Sequence, residues 1–128
     1  MILPSNTALL IVDVQRAIDD PSWAADGPRN NPRAEANIAA LLASWRQLGF
    51  PIFHVKHDGT FPTSTYRPGQ PGNDFKPEAA PLPGETIITK HTNSAFIGTE
   101  LVDKIIRMVP SACQRFCGFW PRTKGTTR

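Results

Sequence analysis

The sequence predicts an α/β fold of three layers, a Rossmann-like parallel sheet between helices. Three observations predict it. Apolar, strand-like runs recur at Thr7–Asp13, Pro51–Lys56 and Glu85–Thr89. An amphipathic helical pattern fills 33–48, between the first two runs, with short joints on its second side. The first and third runs close on charged residues, Asp13 and Lys90. A strand, a helix and a second strand in that order form a crossover unit, which makes the two strands parallel.

Each element follows from its residues. Thr7-Ala8-Leu9-Leu10-Ile11-Val12-Asp13 is a continuous apolar run ending in an acid, which reads as a central strand buried on both faces. Asn31 followed by Pro32 predicts a helix start, with asparagine as the cap and proline in the first turn. Ile38, Leu41, Leu42, Trp45 and Leu48 recur at helical spacing as its buried face, and Gly49 suits its C-terminal cap. Residues 58–84 contain six prolines and three further turn-forming glycines at 69, 72 and 84, so a long irregular loop is expected. Loops of that length in compact domains usually cover a site. The third strand is followed by a second helix, with Thr99 as its cap and Leu101, Val102, Ile105, Ile106 and Val109 as its buried face. Pro110 stops it. Three strands and two helices make half of a doubly wound sheet, whose complete forms carry five or six strands. The domain therefore reads as truncated, with a partial domain over 1–110 and a separate basic tail over 111–128.

Charge supports that division. Residues 1–103 hold eight Lys/Arg against all eleven acids, a net of −3, while 104–128 hold six Lys/Arg and no acid. Such a tail is either foreign to the folding plan or a basic arm for acidic partners. No apolar run reaches the ~18 residues of a membrane helix. Met1–Asn6 lacks the basic and apolar regions of a secretory signal. A cytoplasmic protein is expected, without a membrane partner and with nucleic acid disfavoured. Two cysteines, Cys113 and Cys117, imply no disulfide framework.

Ligands of open α/β sheets bind beyond the carboxyl ends of the strands, where Asp13 and Lys90 would converge. From spacing alone, a functional pair and a stabilising ion pair are equally compatible. His54 and His57 alternate to opposite faces of the second strand, which disfavours a shared metal ion. His54 reads as a buried strand histidine and His57 as a rim residue. No metal and no other cofactor is expected. Haloacid-dehalogenase-like phosphatases need a second Asp where Gln15 stands, and receiver domains need an acid where Lys90 stands.

Two words sharpen the reading. Leu10-Ile11-Val12-Asp13-Val14-Gln15 and Lys90-His91-Thr92-Asn93-Ser94-Ala95-Phe96 together resemble the isochorismatase-like cysteine hydrolase family. The likeness covers roughly 6–103, including Tyr66-Arg67-Pro68-Gly69-Gln70 in the loop. The resemblance implies hydrolysis of a small amide, or cleavage of a vinyl ether, by an Asp-Lys-Cys triad. Asp13 then matches the general base and Lys90 the cation that stabilises thiolate and carboxylate. Phe96 matches an aromatic of the substrate pocket. Gln15 stands either at the pocket mouth or as a capping side chain after the strand. The family's cysteine follows a further strand and opens a helix; Cys113 comes three residues after Pro110, too close for a strand of ~5 residues, and Gly118-Phe119-Trp120-Pro121 after Cys117 do not resemble that helix. The chain is therefore expected to be inactive or impaired. A small-molecule substrate is the implied partner, and a homo-oligomer is compatible with the chain. The rival class is a non-catalytic binding module whose basic tail contacts acidic partners.

Overall fold

A computed structural model describes residues 2–108. Its sheet has three strands, β1 (Leu9–Val12), β2 (Ile52–His57) and β3 (Thr86–Lys90), in the order β1-β2-β3. Both pairings are parallel, with Leu9 opposite Ile52, Val12 opposite Val55 and His57 opposite Lys90. That register brings all three strands to a common carboxyl end. The ladder runs on past it, because the Asp13 amide donates to Val55 O at 2.9 Å and the Asp58 amide to Lys90 O at 2.9 Å.

Helix α1 (Ala34–Leu48) and helix α2 (Leu101–Met108) pack against separate core clusters. Ile11, Leu42 and Ile52 form one core with Ile38 and Trp45 from α1. Phe53, Val55, Ile88 and Leu101 form the other with Leu10 and Ile105. Alternation along β2 explains the division, since successive side chains leave a strand on opposite sides. The result is the three-layered arrangement that the apolar periodicity predicts.

The structure corrects several details. The strand buried on both faces is β2, whose first four residues are all buried, whereas β1 is an edge strand among the described residues. Val12 is accordingly exposed. Helix α1 starts two residues later than the Asn-Pro signal suggests, with Arg33 in the cap position. Asn31 instead accepts the Arg33 amide on its own side chain at 3.1 Å, a local turn that delays the helix. Gly49 does close α1, at φ 67, where a side chain would be strained. Leu41 and Leu48 on α1, and Val102 and Ile106 on α2, are exposed rather than buried. The Thr99 hydroxyl accepts the Leu101 amide at 3.3 Å, near its expected capping place. Lys104 and Arg107 lie within α2, so the helix runs through the point where the charge changes sign. Val109, Pro110, both cysteines and the rest of the basic tail lie outside the described residues.

The long loop is tied down by polar contacts. Gly72 has no space for a side chain, since a Cβ there would collide with the Thr65 carbonyl and crowd Ala17. Lys76 pairs with Asp19 at 2.6 Å and with Glu35 at 2.8 Å, and Arg29 holds Glu35 at 2.7 Å. At the other end of the molecule Glu85 receives Arg46 at 2.7 Å and the buried His54 at 2.7 Å. Arg29 and Lys76 hold the Glu35 carboxyl at about 2, and Arg46 holds that of Glu85 at about 2. Depressed carboxyl pKa values contribute stability above the unfolded value that is lost as pH falls through the folded one. Burial lowers the pKa of His54, so its protonation below ~6.5 acts in the same direction. We expect unfolding free energy to fall by on the order of 2 kcal/mol between pH 6 and pH 3. Melting curves across that range check it, and Glu35→Gln with Glu85→Gln should flatten the dependence.

Candidate active site

The site is built where the three strands end. Asp13 follows β1 with φ 57, the only described non-glycine residue at positive φ. Aspartate tolerates that conformation better than most residues, yet it still carries strain, and such strain clusters at functional positions. Its Oδ2 lies 2.8 Å from Lys90 Nζ. Its Oδ1 is buried and meets no hydrogen-bond donor among the described residues.

Lys90 is 3% exposed, a buried cation that needs compensation. Compensation is complete, because the ammonium also donates to Thr92 O at 3.2 Å and Asn93 O at 2.9 Å. Three oxygens thus face a group with three N–H donors. The turn after β3 is wrapped around its own lysine, which fixes Nζ against Asp13.

His57 ends β2 between these two residues. Its ring stands edge-on to Tyr66, with centroids 5.6 Å apart. Burial, then the charges of Asp13 and Asp19, raise the Tyr66 pKa, so its phenol stays protonated. Asp13, His57, Tyr66 and Lys90 share a cavity of about 420 Å³ with Trp23 and Asn93. The loop expected to cover a site does so, through Thr63–Tyr66.

Two of the sequence candidates lie away from the cavity lining. Gln15 is fully buried and does not reach the pocket mouth. Its amide donates to His57 O at 3.0 Å and Asn73 O at 2.8 Å, while its Oε1 accepts the His57 amide at 2.8 Å. It stitches the loop to β2, closer to the capping alternative. Phe96 is 57% exposed and does not line the cavity, because Ala95 is the residue of that turn that enters the core. The aromatics of the cavity are Trp23 and Tyr66. Trp23 carries no periodic signal, and only its place in the Asp20-Pro21-Ser22-Trp23 turn after the Asp13 strand could have drawn attention to it.

His54 and His57 serve different networks, one on Glu85 and one at the cavity, and do not converge. Among the described residues, no three His, Cys, Asp or Glu side chains are grouped to hold a metal.

An acid and a buried lysine thus face each other across the ends of parallel strands in a three-layered α/β fold, beneath a loop. The isochorismatase domain profile matches residues 7–108, and the chain belongs to the isochorismatase family. It is 45% identical over 99 residues to the uncharacterised isochorismatase family protein YrdC of Bacillus subtilis, covering 77% of this chain and 51% of that one. It is 30% identical over 102 residues to the secreted isochorismatase effector Isc1 of Verticillium dahliae, covering 77% and 54%. The fold matches the crystal structure of an isochorismatase-family protein from Chromobacterium violaceum with a TM-score of 0.76 and 54% identity, covering 83% of this chain and 53% of that one. The chain thus spans about half the length of the relatives it matches. Among its described residues no helix is long and apolar enough to cross a membrane.

Proposed function

We propose that this site is the acid–base half of a hydrolase centre that cleaves a small amide through a thioester. The observation that carries the reading is the Asp13 carboxylate, with one oxygen held by Lys90 and the other buried without a donor. A carboxylate so divided has a fixed orientation and one covered acceptor oxygen without a partner among the described residues, which suits a general base once the thiol is brought against it. In the proposed cycle Asp13 Oδ1 takes the proton of a cysteine thiol. The thiolate then attacks the amide carbonyl, and the same proton passes to the departing amine. Water cleaves the thioester and releases the acid. Lys90 keeps the carboxylate ionised and steadies the negative charge as it moves between Asp13 and sulfur.

The reacting cysteine is not among the described residues, and Cys113 and Cys117 do not match the family's position for it. The chain therefore binds small amides and turns them over slowly if at all. A cytoplasmic setting belongs to this proposal, and cell fractionation that finds the protein outside would overturn it.

Calorimetric titration with small amides tests the acid–base assignment. Asp13→Ala should weaken amide binding about tenfold, the worth of one hydrogen bond to a charged acceptor. Melting curves of the same variant report whether the fold survives the unpaired Lys90. Amide binding that ignores Asp13→Ala in a folded protein would remove Asp13 from the site.

A further inference from the structure

The cavity is bordered by two connections, and they are held very differently. The long loop is anchored to the body. Asn73 donates to Asp58 Oδ1 at 2.9 Å and to Tyr66 O at 2.6 Å, and the Lys76 amide donates to Val14 O at 3.1 Å. The other connection runs from β1 to α1 and lines the cavity through Ser22 and Trp23. Residues 21–33 of it are all exposed. Among the described residues its backbone bonds are local, from the Trp23 amide to Asp20 O and from the Gly27 amide to Ala24 O. Its polar ties to the body come from two side chains. The Trp23 indole N–H donates to the carbonyl of the buried Ala17 at 2.9 Å, and Arg29 pairs with Glu35 at 2.7 Å and with Asp19 at 3.6 Å.

A segment with no buried residue and no backbone bond to its surroundings opens at low free energy. Opening here also leaves no acid stranded. Glu35 and Asp19 keep Lys76, at 2.8 and 2.6 Å, when Arg29 departs, and Arg29 is already half in solvent. Lys76 belongs to the anchored loop, so the receiving end of the Arg29 pair stays in place while the segment moves. We infer that residues 21–30 are a lid on the cavity, opening as a unit and latched by Arg29 on Glu35. The lid controls entry for whatever small molecule the cavity takes, and it stands apart from the amide reading. Motions of this kind fall in the microsecond to millisecond range.

NMR relaxation dispersion on the full chain, without ligand, reads that motion directly. Amides of 21–30 should share one exchange rate and one open population, while those of β1, β2 and β3 stay flat. Arg29→Ala should raise the open population about 2- to 5-fold, the range an exposed ion pair supports, and Arg29→Lys should restore most of the closed state. High salt should act on the parent as Arg29→Ala does and add little to the variant, because an exposed pair is screened. The melting curve of Arg29→Ala should match the parent's, since Lys76 still holds Glu35. Flat dispersion in 21–30 overturns the inference, as do amides there that follow unrelated rates. An Arg29→Ala protein with the parent's open population overturns it too. Dispersion that spreads equally through the strands would belong to the whole fold and leave no lid.

Discussion

Turnover of small amides by the purified chain should lie about four orders of magnitude or more below that of a family hydrolase with a complete triad. Members of a triad act as a unit, and removing one costs on the order of 10⁴-fold or more in kcat. The proposed centre takes Asp13 and Lys90 from the described residues, and by sequence neither Cys113 nor Cys117 matches the family's nucleophile. Ammonia release from nicotinamide and N-carbamoyl amino acids, followed over hours against protein-free controls, measures this. Asp13→Asn should leave the already low rate unchanged, because a base without its nucleophile contributes nothing to chemistry. Robust turnover that Cys113→Ser or Cys117→Ser abolishes would show that the basic tail supplies the thiol.

Glu85→Ala should destabilise the fold by about 1 to 3 kcal/mol, the cost of leaving the buried His54 without its partner and a partly exposed Arg46 with one acceptor. Glu85 accepts from Arg46 through both carboxylate oxygens, from the Leu82 amide, and shares a proton contact with a fully buried His54. Without it the fully buried His54 loses its partner and the partly exposed Arg46 retains only Ala80 O. The network joins the C-terminal half of α1 to the start of β3, so the loss should appear as global unfolding in denaturant titrations. Glu85→Gln should cost less, because the amide preserves some hydrogen bonding to Arg46 or His54. A Glu85→Ala protein within 1 kcal/mol of the parent would contradict this, that margin being the value of an exposed ion pair. None of these groups touches the Asp13 cavity, so amide affinity should not change in the folded fraction.

The strands and helices were legible because each is a run whose period matches one kind of backbone. Thr86–Lys90 is β-branched and short, and α1 repeats its apolar residues at three and four. Burial was harder to read. Leu41, Leu48, Val102 and Ile106 fit a buried stripe, but burial needs a facing surface, and the described sheet is three strands wide. The same shortage of neighbours leaves β1 at the edge although its residues are apolar throughout. In complete sheets of the order 3-2-1-4-5-6 the first strand has a neighbour on each side.

At the site, the two strand-end residues were legible and the loop residues were not. A strand fixes the direction in which its last side chain leaves, so Asp13 and Lys90 were bound to approach one another across a parallel sheet. Two residues beyond the strand, that constraint is gone. Gln15 turned inward to satisfy His57 and Asn73, where a buried amide with donors and acceptors completes the backbone pairing of the loop. Phe96, read as a pocket aromatic, is exposed, while the adjacent Ala95 turns into the core. Trp23 is held by its indole bond to the buried Ala17 carbonyl and by the capped turn that carries it, contacts with no counterpart in the apolar periodicity.

A crystal structure with benzamide bound tests the account at its centre, the Asp13–Lys90 pair as the reacting end of the site. The account predicts the amide within the Asp13 cavity, its nitrogen about 3 Å from the Asp13 carboxylate, with Asp13 Oδ2 still on Lys90. Benzamide seated instead at the opposite end of the sheet, beside Arg46 and Glu85, would contradict it. So would an Asp13 carboxylate whose second oxygen is filled by a donor of the protein itself.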